Sequence, residues 1–112
     1  MIIAIPVENG KLCSHFGHCL AFALIQIAAD KKTIAARRDI DAPPHEPGLL
    51  PNWLFDRGVN LILCSGMGPR ALELFAQKGI EVVTGAPVLM PEELVAVYLS
   101  GALKTNPNSC NH

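Results

Sequence analysis

The sequence lacks the marks of several common functions. No run of lysine or arginine offers the footprint that a phosphate backbone needs, and the formal net charge is only −1, from 9 basic and 10 acidic side chains. No uninterrupted apolar segment is long enough to span a bilayer. No charged leader with a signal-type apolar stretch precedes the first strand-like run. Cys-x-x-Cys is absent, so the spacing of a paired zinc ribbon is not met. The Gly-x-Ser-x-Gly elbow, the His-Glu-x-x-His helix and the phosphate-binding loop ending in Gly-Lys-Ser/Thr are absent too. Together these absences predict a soluble cytoplasmic protein with no nucleic-acid or membrane partner and no catalytic constellation, hence not an enzyme.

What remains is an apolar chain with punctuated elements. Half of the 112 residues are apolar, enough for one packed core, so a single domain over 1–112 is expected. Ile2 to Val7 is a continuous apolar run and reads as a buried strand. Glu8 to Lys11 reads as a turn. Phe22 to Ala28 and Thr33 to Arg38 read as a strand pair around Asp30-Lys31-Lys32, which makes the sheet mixed. Asp39 and Asp41 are expected to serve a turn at that strand's end. Ala42 to Gly48 holds three prolines and reads as a rigid loop.

Beyond it, a helix is expected from Pro51 to Arg57, with Leu50, Trp53 and Leu54 on one face and Gly58 ending it. Val59 to Cys64 is a fourth strand, and Pro69 opens a helix with Ala71, Leu72 and Phe75 inward that Gly79 ends. Ile80 to Thr84 is a fifth strand. Pro91 opens a last helix to Ser100, burying Leu94, Val95, Tyr98 and Leu99. The polar tail from residue 101 is expected to be mobile. The sum is an α/β domain with a mixed five-stranded sheet flanked by helices.

One segment carries most of the chemical interest. Cys13-Ser-His15-Phe-Gly-His18-Cys19 places four potential ligands within seven residues, in a loop just after the first strand. Thiolates suit soft metals and iron–sulfur chemistry, and imidazoles suit zinc, copper, iron and nickel. Phe16 is expected to plug into the core and anchor the loop. The alternative is that Cys13 and Cys19 are small buried apolar residues. His45, in the proline loop, would lose little freedom on binding a ligand, or else is a solvated turn residue. Gly66-Met67-Gly68, between a strand and a helix, can aim backbone N–H groups at an anion, with Arg70 adding positive charge in the first turn. The alternative there is a plain tight turn. Cys64, at a strand end, is either core or a distant ligand. Cys110 and His112 could bind metal or cover a site.

The order of His15-Phe-Gly17, Phe22, Gly66-Met-Gly68-Pro-Arg-Ala71 and Lys78-Gly-Ile-Glu-Val82 resembles the dinitrogenase iron–molybdenum cofactor-binding family. Its members include NifX-type cofactor carriers, the C-terminal domain of NifB and small orange-protein-like proteins that hold a molybdenum–copper sulfide cluster. The resemblance runs from Ile2 to about Leu99. It implies a three-layer α/β/α, ribonuclease H-like fold without nuclease activity. It implies binding, storage or delivery of an anionic Mo/Fe or Mo/Cu sulfide cluster, with His15 as the natural ligand; Cys13, His18 and Cys19 are not required by the family motif and stand as candidate further ligands on their own chemistry. A cluster donor or acceptor protein, or a metal-delivery ATPase, would be the partner. Two other functions fit the same residues. One is a mononuclear zinc or copper site, or a redox dithiol, on the Cys13–Cys19 loop. The other is a protein-interaction module in a metal-delivery assembly.

Overall fold

A computed structural model of the chain describes residues 1–13, 16, 19–43 and 48–103. Strand β1 (Ile2–Glu8) is buried from Ile3 to Val7. A strand tolerates apolar residues at every position only when both of its faces are covered. β1 meets that condition at the centre of the sheet, where apolar clusters pack on both of its faces. On one side it pairs antiparallel with β3 (Ala21–Ile27), which pairs antiparallel with β4 (Ile34–Asp41). On the other it pairs parallel with β5 (Leu61–Leu63), which pairs parallel with β6 (Glu81–Val83). The order is β4-β3-β1-β5-β6, so the sheet is mixed, as expected.

Two expectations need correction. The chain does not simply turn over Glu8 to Lys11, and among the described residues the sheet has six strands rather than five. Asn9 (φ 53°) and Gly10 (φ 79°) both take the left-handed conformation. That pair makes a two-residue connection matched to strand twist. It folds β2 (Lys11–Leu12) back on β1, with Val7 opposite Leu12 and Glu8 opposite Lys11. The other correction concerns Asp39 and Asp41, which lie within β4 rather than in a turn. Residues two apart share a strand face. Arg37 accordingly donates from Nε and Nη2 to the Asp39 carboxylate at 2.7 and 2.8 Å, and this pairing suits the extended backbone.

Among the described residues three helices cover the sheet: α1 (Leu49–Asp56), α2 (Pro69–Gln77) and α3 (Pro91–Leu99). Proline occupies the first turn of α2 and α3, where its missing N–H costs nothing. Gly58 and Gly79 follow α1 and α2 at φ 81° and 74°, a conformation that side chains with a Cβ resist. Strand alternation divides the core in two. Ile3, Ile5, Val7, Ala23, Ile25, Leu61 and Leu63 pack with Leu94 and Val95 of α3. Ala4, Phe22, Leu24, Ile62 and Cys64 pack on the other face with Leu54 of α1 and Phe75 of α2. The layers are therefore α/β/α. Trp53 is only half-buried, tilted against Phe22 at 5.8 Å between ring centroids.

Arg37 ties the edge strand to α3, because its Nη1 also donates to Glu92. Its hydrogen bonds hold the Asp39 and Glu92 carboxyls below their ordinary values of 3.8 and 4.5. A depressed carboxylate stabilises the fold above the unfolded value, and the gain is lost as pH falls below it. The three groups are substantially solvated, so Arg37→Gln should cost less than about 1 kcal/mol at neutral pH. Urea denaturation of both proteins at about pH 7 and about pH 2 checks this. The difference should shrink at the acid end, and a constant difference would contradict the assignment.

Candidate functional site

The strand register gathers the notable loops at one edge of the sheet. β1, β5 and β6 run in the same direction, so their C-terminal ends coincide. β3 and β4 alternate in sense, so β3 starts and β4 finishes at that edge: Val7 pairs with Ala21, and Ala21 with Asp41. Cys13 after β2, Leu20 before β3, Ala42 after β4 and the turn after β5 therefore all lie at this edge. Backbone bonds fasten them. The Cys13 N–H donates to the Pro6 carbonyl at 2.8 Å, and the Ala42 N–H to the Leu20 carbonyl at 2.9 Å. The Gly85 and Ala86 N–H groups donate to the Ser65 and Cys64 carbonyls at 2.7 and 3.0 Å.

The two loop cysteines fall on the α1/α2 side of the sheet. Alternation along β1 turns Glu8 to the same face as Ala4. The Cys13 thiol donates to Glu8 Oε2 at 3.6 Å. Cys13 is buried, and half-buried Cys19 packs against the cluster of Phe16, Phe22 and Phe75. Burial pushes the Cys19 thiol up to about 12, and the neighbouring Cys13 and Glu8 push the same way. At neutral pH Cys19 is thus a thiol, and a metal must displace its proton to bind.

Phe16 anchors the loop as expected. It is 6% exposed and meets Phe22 and Phe75 edge-on at 5.7 and 5.6 Å between centroids. Edge-to-face packing favours such rings beyond the apolar area they bury.

The glycine turn closes the far side. Gly66 is buried, and Met67 is 1% exposed within the α1/α2 cluster, so Met67 meets the edge through its backbone. Gly68 precedes α2 at φ −64° and ψ 155°, with no side-chain cap on the helix. That backbone suits any residue, and a Cβ built at Gly68 would meet nothing within 4 Å. Neither conformation nor packing therefore demands glycine there. What glycine provides is open space beside the first turn of α2, where unbonded N–H groups carry partial positive charge. Arg70 is exposed in that turn. Cys64 is wholly buried and belongs to the core.

His15, His18, His45, Cys110 and His112 lie outside the described residues. Among the described residues no group of three or more His, Cys, Asp or Glu is arranged to hold a metal ion, and no helix is long and apolar enough to cross a membrane. Sequence reasoning missed Glu8. The signal that could have found it is Asn9-Gly10, a hairpin dipeptide that sets the strand alternation up to residue 8.

Comparison with known proteins shows the family and the fold. The family model for dinitrogenase iron-molybdenum cofactor proteins matches residues 1–101. The chain is 32% identical to the uncharacterized protein MJ0580 of Methanocaldococcus jannaschii, over 93% of this chain and 90% of the relative. The crystal structure of PH0822 superposes with a TM-score of 0.87 at 31% identity, covering 96% of each chain. The apo form of the orange protein from Desulfovibrio gigas shares the fold, with a TM-score of 0.74 at 21% identity over 96% of this chain and 93% of that one.

Two outcomes test the site's construction. Phe16→Ala should cost about 3–5 kcal/mol, since it empties the space between Phe22 and Phe75. A loss below about 1 kcal/mol in urea denaturation would contradict the anchoring role. Cys19 should make stability fall between pH 9.0, the ordinary thiol value, and about 12, because the unfolded thiol ionises first. Urea midpoints across that range should fall less steeply in Cys19→Ser. Identical slopes would contradict the burial of this thiol.

Proposed function

The chain belongs to the dinitrogenase iron-molybdenum cofactor family, and on that premise we propose that it binds and carries an anionic metal–sulfur cluster as cargo, without catalysing a reaction. The observation that carries this reading is the convergence, at one edge, of two thiols and an uncapped helix start beside open space. The donor set fits such a cargo. Thiols are soft donors suited to metal–sulfide chemistry. The first turn of α2 favours negative charge, and Phe16, Phe22 and Phe75 form an apolar floor that excludes water.

In this reading His15 is the direct ligand, and Cys13, His18 and Cys19 add further bonds. The backbone of Gly66, Met67 and Gly68 donates to the sulfide face, Arg70 balances charge, and His45 approaches from the proline loop. Loading takes a proton from Cys19, which resists giving it up. Few bonds and a reluctant thiol make the grip reversible, as a carrier requires. The cargo would be of the Mo/Fe or Mo/Cu sulfide type. It would pass in the cytoplasm to or from a cluster-handling protein related to NifB, or a metal-delivery ATPase.

A second reading has specific support. Cys13 and Cys19 sense each other electrostatically, and Glu8 accepts from Cys13. That grouping also suits a single zinc or copper ion completed by His15 and His18, or a reversible disulfide.

Anaerobic metal and acid-labile sulfide analysis separates the two, before and after incubation with thiomolybdate plus copper or iron. Retained molybdenum and sulfide, with a charge-transfer band weakened at least tenfold in affinity by His15→Ala, is the expected result. Gly68→Ala should shift stability by less than about 1 kcal/mol yet weaken uptake by filling the open space. One tightly held zinc without sulfide would overturn the cluster reading.

A further inference from the structure

We infer that Glu8 sets the affinity and charge selectivity of the site, as a fixed negative charge that limits how tightly an anionic cargo is held. The inference rests on the cargo reading above and goes beyond it by giving a role to a residue outside the ligand set. Glu8 ends β1 at the very edge where the loops converge, and it is exposed. The β1–β2 hairpin fixes its direction, because Glu8 pairs with Lys11 and alternation turns it to the α1/α2 face. Its carboxylate stands 3.6 Å from the Cys13 sulfur. A cargo bonded to that sulfur is therefore held within a few ångströms of a negative charge.

The surrounding charges do not cancel it. Among the described residues Lys11 stands across the ladder from Glu8 without forming an ion pair with it. Lys11 and Arg70 are both exposed, so their charges are well solvated. Glu8 is the acidic group bonded to a candidate ligand, and no packing requirement explains an exposed carboxylate aimed at a buried thiol. In a permanent anion site that placement is a defect. In a carrier it weakens the hold and speeds release, while admitting less highly charged species more readily.

The test uses tetrathiomolybdate alone as the dianionic probe, titrated anaerobically by its absorption into the full chain. Glu8→Gln keeps the acceptor oxygen and the size but removes the charge. Coulomb's law for a dianion over roughly 6 Å, with an effective dielectric constant of roughly 40–80, predicts about ten- to a hundredfold tighter binding. At about 1 M salt, where screening acts within about 3 Å, the gain should vanish. Glu8→Asp keeps the charge and should stay within about twofold of the wild type. A merely structural role would give neither the salt dependence nor the rescue by aspartate. Wild-type uptake with unchanged or weaker binding in Glu8→Gln overturns this inference alone. No uptake by the wild type overturns the cargo reading, and this inference with it.

Discussion

The pairing of β1 on both of its edges governs the rest of the molecule. One neighbour, β3, is antiparallel and the other, β5, is parallel. An antiparallel neighbour brings its beginning to the end of β1, and a parallel neighbour brings its end there. That single arrangement decides which loops can meet. It places the segment after β2, the loop after β4 and the turn before α2 at one edge, though they are far apart in sequence. The same central position demands the apolar run from Ile2 to Val7, because both faces of β1 are covered. One constraint thus sets both the core and the location of the site.

The site's chemistry is a balance of opposing terms. The aromatic cluster seats Phe16 edge-on against Phe22 and Phe75 beneath the site, which favours burial there. Burial also suppresses ionisation of Cys19, so the soft donors are not presented as ready thiolates. The first turn of α2 attracts negative charge, and the Glu8 carboxylate repels it. A catalytic or permanent metal centre gains from making all these terms favourable. A site that must take up and surrender its cargo gains from their near-cancellation.

Much of the fold was legible because it depends on local pattern. The apolar run of β1, the prolines opening α2 and α3, and Gly58 and Gly79 each act within a few residues. Phe16 could be assigned to the core as the large apolar side chain of the Cys13–Cys19 segment. The length of β4 was not legible, because Asp39 looks like a turn residue until Arg37 is seen to pair with it along the strand. β2 was missed because two residues carry too little periodicity to register. For the site, the Cys13–Cys19 motif and the Gly66–Gly68 turn stood out as residue types. Their shared edge did not, since it depends on pairings between distant strands. Glu8 was invisible for the same reason: its direction follows from the hairpin. His15, His18 and His45 were named from the sequence and lie outside the described residues.

The central claim is that this edge, on the α1/α2 side, receives an anionic metal–sulfide species. Amide chemical-shift mapping during titration of the isotope-labelled chain with tetrathiomolybdate tests it most directly. The account predicts that the largest shifts fall on Cys13, Phe16, Cys19, Gly66, Met67, Gly68, Arg70 and Ala71. Tyr98, Gly101 and Leu103, which line a separate apolar pocket with Val83, should stay still. Shifts centred on that pocket or on α3, or spread evenly over the surface, would contradict the account.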